Sequence, residues 1–261
     1  MSKIINIAWV YPDILNLHGD RGNMMAIAKI AEALGLECNI NKLSYGEDID
    51  FENTDLIFMG AGQIRDMQHV VRDMRRYADG FKSYVEAGGY VLAIGSTGCA
   101  LGKTLSLESG ETIEGIGILD ITARELNRTK MPYVTKEVYG DDIWWSYKDM
   151  DIIGCQIQRV DYTLGNVEPL GKVVYGYGNN LQGEEGARYK NLLLTNTVGP
   201  LLASNPWFGA DVMAELMVAK GEKLSVDLDK LEYLGYAKES IELKKKFIKD
   251  KFKLPGIIHN L

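Results

Sequence analysis

Residues 90–102 read YVLAIGSTGCALG. Val91–Ile94 is a short apolar run of the kind that forms a buried parallel strand, Gly95–Gly98 are small residues that can turn sharply, and Cys99–Leu101 is compatible with a helix. A strand, a tight turn and a helix together predict a nucleophile elbow. The same arrangement suits anion binding, because the first amides of a helix have unpaired N–H groups. No cysteine stands at the turn, so the stretch predicts a site without its usual nucleophile.

Composition limits the classes of protein that the chain can belong to. The 261 residues, 46% apolar and 25% charged, suit an ordinary globular protein with one large core or a core and a small appendage. No apolar run approaches the roughly 20 residues of a membrane span, and the Met-Ser-Lys start lacks a signal-peptide pattern, so we expect a cytoplasmic protein. The net charge of -7 argues against extensive nucleic-acid binding. Three widely spaced cysteines, Cys38, Cys99 and Cys155, favour reduced thiols over disulfides or a zinc site.

The first hundred residues alternate between strand-like and helix-like segments. Apolar runs predict strands, and apolar residues at helical spacing predict helices. This alternation predicts an α/β protein with a parallel sheet and helices on both faces. The predicted strands are Ile4–Val10, Glu37–Leu43, Asp55–Met59 and the run that begins at Tyr90; the predicted helices are Met24–Leu34, Asp66–Arg76 and Gly80–Ala87.

Beyond Leu105 the sequence favours short β runs, and then helices. Tyr175–Asn180 is a turn cluster typical of a hairpin end. Pro206–Lys220 predicts a helix that Gly221 ends, which divides the chain into a domain at 1–220 and a C-terminal helical extension at 221–261. The predicted strands are Glu114–Ile121, Tyr133–Tyr139, Asp151–Tyr162, Lys172–Tyr177 and Leu192–Thr195.

The C-terminal extension is basic and amphipathic. Residues 243–253 carry six lysines and one aspartate, with Leu243, Phe247, Ile248 and Phe252 predicted on one helical face. Such a helix packs over its own domain, docks a partner protein or lies on a membrane surface. The aromatic cluster Trp144, Trp145 and Tyr147 likewise suits core packing or a partner contact.

An ordered set of phrases resembles class I glutamine amidotransferases of the cobyric acid synthase (CobB/CobQ) type, from about Ile4 to Lys220. Within this family it resembles the GatD glutaminase subunits of lipid II isoglutaminyl synthases. The resemblance implies a three-layer, flavodoxin-like fold with a mostly parallel sheet, a Mur-ligase-like partner of the MurT type, and no cofactor or metal. The phrases are Tyr11–Asn23, Gly60–Gln63, Gly115–Asp120, Tyr175–Asn180, Glu185-Gly186, Tyr189–Leu193 and Gly199–Leu202.

The resemblance also implies that the catalytic pair is replaced. The family elbow reads Ile-Cys-Gly-Gly-Tyr-Gln, and its cysteine attacks the amide carbon of glutamine; here Gly95 stands in the place of that cysteine. The family histidine lies in Gly-Thr-Tyr-Leu-His-Gly-Pro and takes the thiol proton; here Val198 stands in its place. A further family phrase, Gly-Phe-Glu-Asn-His-Gly, is matched only by Gly154–Gln158. We therefore expect no ordinary glutaminase activity.

Two other features of the turn suggest chemistry. Cys99 follows the elbow by about one helical turn and is a candidate for a displaced nucleophile, although a small thiol packed under the turn is the interpretation that we favour. Gly98–Thr104 approaches a phosphate-binding loop, but it has three residues between its glycines where that loop needs four.

Several residues remain candidates for substrate binding. The 60–63 loop matches the family loop that supplies oxyanion-hole amides, Arg128 matches an arginine that the GatD group uses in handling glutamine, and the turn amides and hydroxyls suit a small anion. The candidates are Gly62, Gln63, Ser96, Thr97 and Arg128.

Three functions follow from the sequence. The first is a non-catalytic, amidotransferase-like subunit that binds a Mur-ligase-like or cobyrinate-synthase-like enzyme in cell-wall or cofactor metabolism. The second is an active glutaminase subunit with a rearranged site. The third is a free-standing module that binds an amino acid, a small carboxylate or a phosphate.

Overall fold

A computed structural model describes residues 3–126, 140–180, 182–222 and 232–251. The strands are β1 Lys3–Val10, β2 Leu36–Leu43, β3 Leu56–Met59, β4 Tyr90–Ile94, β5 Thr104–Ser106, β6 Thr112–Glu114, β7 Ile121–Glu125, β8 Gly140–Tyr147, β9 Met150–Ile157, β10 Val160–Leu164, β11 Gly171–Tyr175, β12 Glu184–Glu185, β13 Ala187–Tyr189, β14 Leu192–Thr195 and β15 Thr197–Val198. The helices are α1 Arg21–Ala33, α2 Met67–Met74, α3 Ala78–Glu86, α4 Gly98–Leu101, α5 Leu201–Ser204, α6 Pro206–Ala219 and α7 Glu232–Lys251.

The main sheet is the middle of three layers. Its strand order is β13-β14-β4-β3-β1-β2, and every neighbouring pair is parallel except β13 with β14. Side chains alternate along β1, so Ile5 and Ile7 enter a core shared with α1 and α6, whereas Ala8 and Val10 enter the core beneath α2, α3 and α4. The predicted parallel sheet with helices on both faces is confirmed.

The second half of the chain forms two smaller sheets, β10-β7-β5-β6 and β12-β11-β8-β9-β15. The single strand predicted at Glu114–Ile121 is wrong, since β6 ends at its first residue and β7 begins at its last. Between them, the N–H groups of Gly115, Ile116 and Leu119 donate to carbonyls of residues 100–103 at 2.8–2.9 Å. These bonds fold the segment onto the end of α4, which prevents pairing as one strand.

Two other predicted strands have different outcomes. Asp151–Tyr162 is divided between β9 and β10, which are separated at Gln158 and Arg159. Tyr133–Tyr139 lies outside the described residues. The first division matters for the site, because Gln158 and Arg159 both line the cavity described below.

Helix α7 covers the outer side of the β8–β9 hairpin. Ile241 and Ile248 are 5% and 0% exposed and pack in one cluster with Ile153 and Tyr175. The predicted apolar face is therefore wrong in part, because Leu243, like Phe247, is largely exposed. Phe252 lies outside the described residues, and none of the described helices is long and apolar enough to span a membrane.

The two places predicted as partner contacts lie against each other. The indole of Trp144 is flanked by the ammonium groups of Lys245 and Lys249, at 5.7 and 5.8 Å from its ring centroid. Trp145 is fully buried, and its ring packs edge-on against Phe208. The tryptophans are therefore used in folding, as the core-packing interpretation predicts.

Candidate functional site

A cavity of about 660 Å³ opens where β3 and β4 end. Its lining comes from the loops after β1, β3 and β4, from residues 107–113 and 125, and from segments 157–162 and 196–198. Ligands of doubly wound sheets bind at this edge, in pockets of roughly 300–1,000 Å³. The cavity is therefore the candidate site.

Gly95 and Val198 face each other in this cavity. Gly95 has a φ of +57°, in the left-handed region that a sharp strand-to-helix turn requires. A Cβ built on Gly95 would lie 3.3 Å from Val198 Cγ1 and 3.2 Å from Ala61 Cβ. The structure thus brings together the two positions that the resemblance implies for nucleophile and base. It places there a hydrogen atom and an isopropyl group, which neither attack a carbonyl nor accept a proton.

The hydroxyl groups of the turn are bonded to the loop after β3. Ser96 Oγ donates to the carbonyl of Gly62 at 2.6 Å and accepts the Gly62 N–H at 3.0 Å, and Thr97 Oγ1 donates to the carbonyl of Gly60. These contacts use the proton of each hydroxyl and the Gly62 amide. The predicted anion-binding groups Gly62, Ser96 and Thr97 are therefore already hydrogen-bonded within the protein.

Cys99 lies under the turn, away from the cavity lining. Its side chain is 1% exposed, burial raises the pKa of its thiol to about 12, and its Sγ lies 3.7 Å from the hydroxyl of Tyr162. That hydroxyl donates to the carbonyl of Gly95 at 2.7 Å, and a Cβ on Gly98 would lie 2.7 Å from it. Tyr162 thus occupies the space that a side chain at position 98 would need. A neutral, enclosed thiol is a poor nucleophile.

A buried carboxylate, Asp20, was not identified from the sequence, which indicates only a polar loop here. Its side chain is fully buried, accepts the Ala61 N–H at 3.1 Å and contacts Asn23 Nδ2 at 3.3 Å. Burial raises its pKa to about 6, against hydrogen bonds that lower it. The carboxyl group fastens the loop after β1 to the loop after β3.

A network of buried polar side chains extends from Val198 to the hairpin that follows β11. Sequence reasoning missed it as a site, although two of its members, Asn179 and Glu185, stand in phrases that carry the resemblance. Two members, Gln158 and Asn196, line the cavity. The network consists of Gln156, Gln158, Asn179, Glu185, Thr195 and Asn196.

The remaining candidates are dispersed. Gln63 is exposed and lines the mouth of the cavity. Arg128 lies outside the described residues. Lys103, the lysine of the incomplete phosphate-loop pattern, pairs with Asp120 at 2.5 Å and is absent from the described lining.

Comparison with known proteins agrees with this geometry. Residues 6–206 match the model of the CobB/CobQ-like glutamine amidotransferase domain. GatD subunits named as parts of glutamine-hydrolysing lipid II isoglutaminyl synthases are similar in two organisms. The Streptococcus pneumoniae protein is 30% identical, over 77% of this chain and 76% of its own length. The Staphylococcus aureus protein is 32% identical, over 74% and 76%.

Solved structures support the same fold. A glutamine amidotransferase is superimposed with a TM-score of 0.53 at 18% identity, covering 80% of this chain and 97% of that one. The structure of PurLQS from Thermotoga maritima is superimposed with a TM-score of 0.50 at 16% identity, covering 84% of this chain and 99% of that one. The topology, the elbow-like turn at Gly95 and the extent of the sequence match lead to one conclusion. The chain belongs to the CobB/CobQ-like glutamine amidotransferase family.

Proposed function

We propose that the protein is a glutamine amidotransferase-like subunit that does not hydrolyse glutamine and acts with a Mur-ligase-like, MurT-type enzyme in cell-wall synthesis. The observation that carries the proposal is that position 198 faces position 95, where a built Cβ would lie 3.3 Å from Val198 Cγ1. Family chemistry needs a thiolate at the first and a base at the second, and Gly95 and Val198 supply neither.

The hydrogen bonding of the 60–63 loop supports the same proposal independently. Stabilising a tetrahedral intermediate requires N–H groups aimed at the developing oxyanion. The Gly62 N–H instead bonds to Ser96 Oγ at 3.0 Å. A glutamine carbonyl would have to displace the Ser96 hydroxyl before it could accept a hydrogen bond from the Gly62 N–H.

The relatives support the choice of pathway and partner. Both are named as subunits of lipid II isoglutaminyl synthase, so each contributes to a larger enzyme. Contact with the other subunit does not require the catalytic pair, so an amidotransferase fold that lacks this pair can still serve in such a complex.

Ammonia release from glutamine tests the proposal directly. The purified protein, alone and with its co-expressed Mur-ligase-like partner, is expected to release no ammonia above the buffer blank. Gly95→Cys is expected to remain inactive, because its thiol would face Val198 and find no base.

Three variants separate the alternatives. Glutamine turnover by the wild type would contradict the proposal, and its loss in Cys99→Ala would favour an active subunit with a rearranged site. Gly95→Cys/Val198→His, with or without Ser96→Gly, is the matched gain-of-function series. If ammonia is released only when all three substitutions are present, the bond between the Gly62 N–H and Ser96 is a third cause of inactivity, in addition to the missing nucleophile and base.

A further inference from the structure

Tyr11, the residue that follows β1, has a backbone conformation that tyrosine rarely adopts. Its φ is +54°, in the left-handed region, and its side chain is 1% exposed. The other non-glycine residues with a positive φ in the described parts of the chain, Lys148, Asn180 and Lys190, are exposed or half-exposed. A bulky residue in this region is strained, and it persists there only where the surrounding structure holds it. Other contacts must therefore compensate the strain at Tyr11.

The hydroxyl group of Tyr11 is bonded to a buried carboxylate on α2. It donates to Asp73 Oδ2 at 2.9 Å, and because this uses its only proton, it accepts a hydrogen bond from the hydroxyl of Tyr77. Asp73 is 3% exposed, and its carboxylate also accepts the Gly46 N–H at 3.1 Å and Arg76 Nε at 2.8 Å. Hydrogen bonds to an ionised acceptor are stronger than those between neutral groups. The Asp73 carboxylate thus ties the end of β1 to α2 and to the loop after β2.

The turn at Tyr11 directs the chain that follows it onto the loop after β3. The carbonyl of Tyr11 accepts the N–H groups of Ile14 and Leu15 at 3.0 and 2.7 Å, which folds the chain back. A Cβ built on Gly62 would lie 2.7 Å from Leu15 Cδ2, and one built on Gly60 would collide with the carbonyl oxygen of Leu15. The close packing of the two loops therefore depends on the direction that the chain takes at residue 11.

The same segment forms part of the cavity wall. The Leu17 N–H donates to the carbonyl of Ala61 at 2.9 Å, and Leu17 and His18 both line the cavity. The Gly62 N–H, which is bonded to the turn after β4, belongs to the loop on which this segment packs. The conformation of Tyr11 is thus transmitted to the cavity over a short run of bonded and packed residues.

We propose that Tyr11 is a positioning residue of the cavity, held in its left-handed conformation by the Asp73 carboxylate so that Leu17 and His18 stay in the wall. Without the hydroxyl group, residue 11 relaxes towards a negative φ, and residues 12–18 loosen from the loop after β3. The inference goes beyond the proposed function, because it concerns the shape of the cavity whether or not glutamine is hydrolysed.

Amide hydrogen exchange of the full chain, followed by NMR, tests the proposal. Tyr11→Phe keeps the aromatic ring and removes only the hydroxyl group. It is expected to speed exchange at the three bonded amides of residues 12–18 by about tenfold or more relative to the amides of β4, because the lost bond is to a carboxylate. Tyr84→Phe is the matched control, since it removes a hydroxyl on α3 that donates to the carbonyl of Tyr90 at 3.2 Å, and it should leave this ratio unchanged.

A second readout follows the cavity wall itself. Burial lowers the pKa of His18, so loosening of the wall in Tyr11→Phe should raise this pKa towards its ordinary value. A loss of global stability alone would not change the pKa in the folded protein, and the charged groups of the lining are the same in both proteins. An unchanged exchange ratio, or a ratio that rises equally in Tyr84→Phe, would overturn the proposal, and so would an unchanged His18 pKa.

The proposal can still be tested if Tyr11→Phe fails to fold. Asp73→Asn keeps an acceptor for the Tyr11 hydroxyl but removes its charge, so it is expected to raise the same exchange ratio by a smaller factor. No rise in Asp73→Asn would contradict a role for the carboxylate. Neither readout depends on glutamine turnover, so ammonia release by the wild type would contradict the proposed function and leave this test valid.

Discussion

At the scale of single residues, the carboxyl group of Asp20 makes the stability of the fold depend on pH. Its pKa is raised to about 6 by burial, so the folded chain holds this proton more tightly than the unfolded chain does. The stability that this group contributes is therefore fully present below its unfolded pKa near 4. It is lost as the pH rises through about 6.

Asp20→Asn is expected to remove this contribution. The free energy of unfolding of the wild type, measured with urea between pH 4 and 7, should fall relative to that of the variant by at most about 3 kcal/mol. Glu52→Gln, which removes an exposed carboxylate, is the control. Parallel pH profiles for wild type and Asp20→Asn would contradict a raised pKa at this position.

At the same scale, the sequence predicted that positions 95 and 198 lie close together, but it did not predict which side chains pack around them. The opposition of Gly95 and Val198 follows from the elbow pattern and from the resemblance, because both depend on the order of segments along the chain. The insertion of Tyr162 beneath Gly98 and the bonding of Ser96 to Gly62 depend on side chains from distant elements. No local pattern encodes the meeting of such residues.

At the scale of elements, α7 shows why periodicity alone can mislead. The helix carries two apolar stripes: Ile241 and Ile248 are seven residues apart, and so are Tyr236 and Leu243. At about 100° per residue, the two stripes lie about 120–160° apart. Either stripe satisfies the amphipathic pattern, and tertiary packing against Ile153 selects the first.

Substitutions in the two stripes test this assignment. Ile248→Ala removes a fully buried side chain and is expected to cost about 2 kcal/mol or more, which should speed amide hydrogen exchange in α7 on the order of 30-fold. Leu243→Ala, at a position that is 69% exposed, should change exchange little. The opposite ranking would mean that the predicted face, and not the observed one, holds the helix.

At the scale of the whole molecule, the main sheet was predictable, and the smaller sheets were predictable only in part, since the predicted strand Lys172–Tyr177 coincides with β11 whereas β5–β7 were missed or misplaced. Buried parallel strands are continuous apolar runs, so β1, β3 and β4 are visible in the sequence. β5–β7 are three to five residues long, and a glycine-containing segment at 115–120 joins β6 to β7. Strands so short depend on pairing with distant partners and leave little periodicity to detect.

The last prediction concerns assembly. If the scaffold is retained for subunit contact, the protein and its Mur-ligase-like partner should co-elute as a stable complex in size-exclusion chromatography with light scattering. The interface should bury on the order of 1,200–2,000 Å² in total. Gly95→Cys is the matched control: it alters only the cavity, so it should co-elute like the wild type. Separate elution of the wild type, with no effect of the protein on the ligase rate, would contradict the subunit role and leave a free-standing module whose function is ligand binding in the cavity.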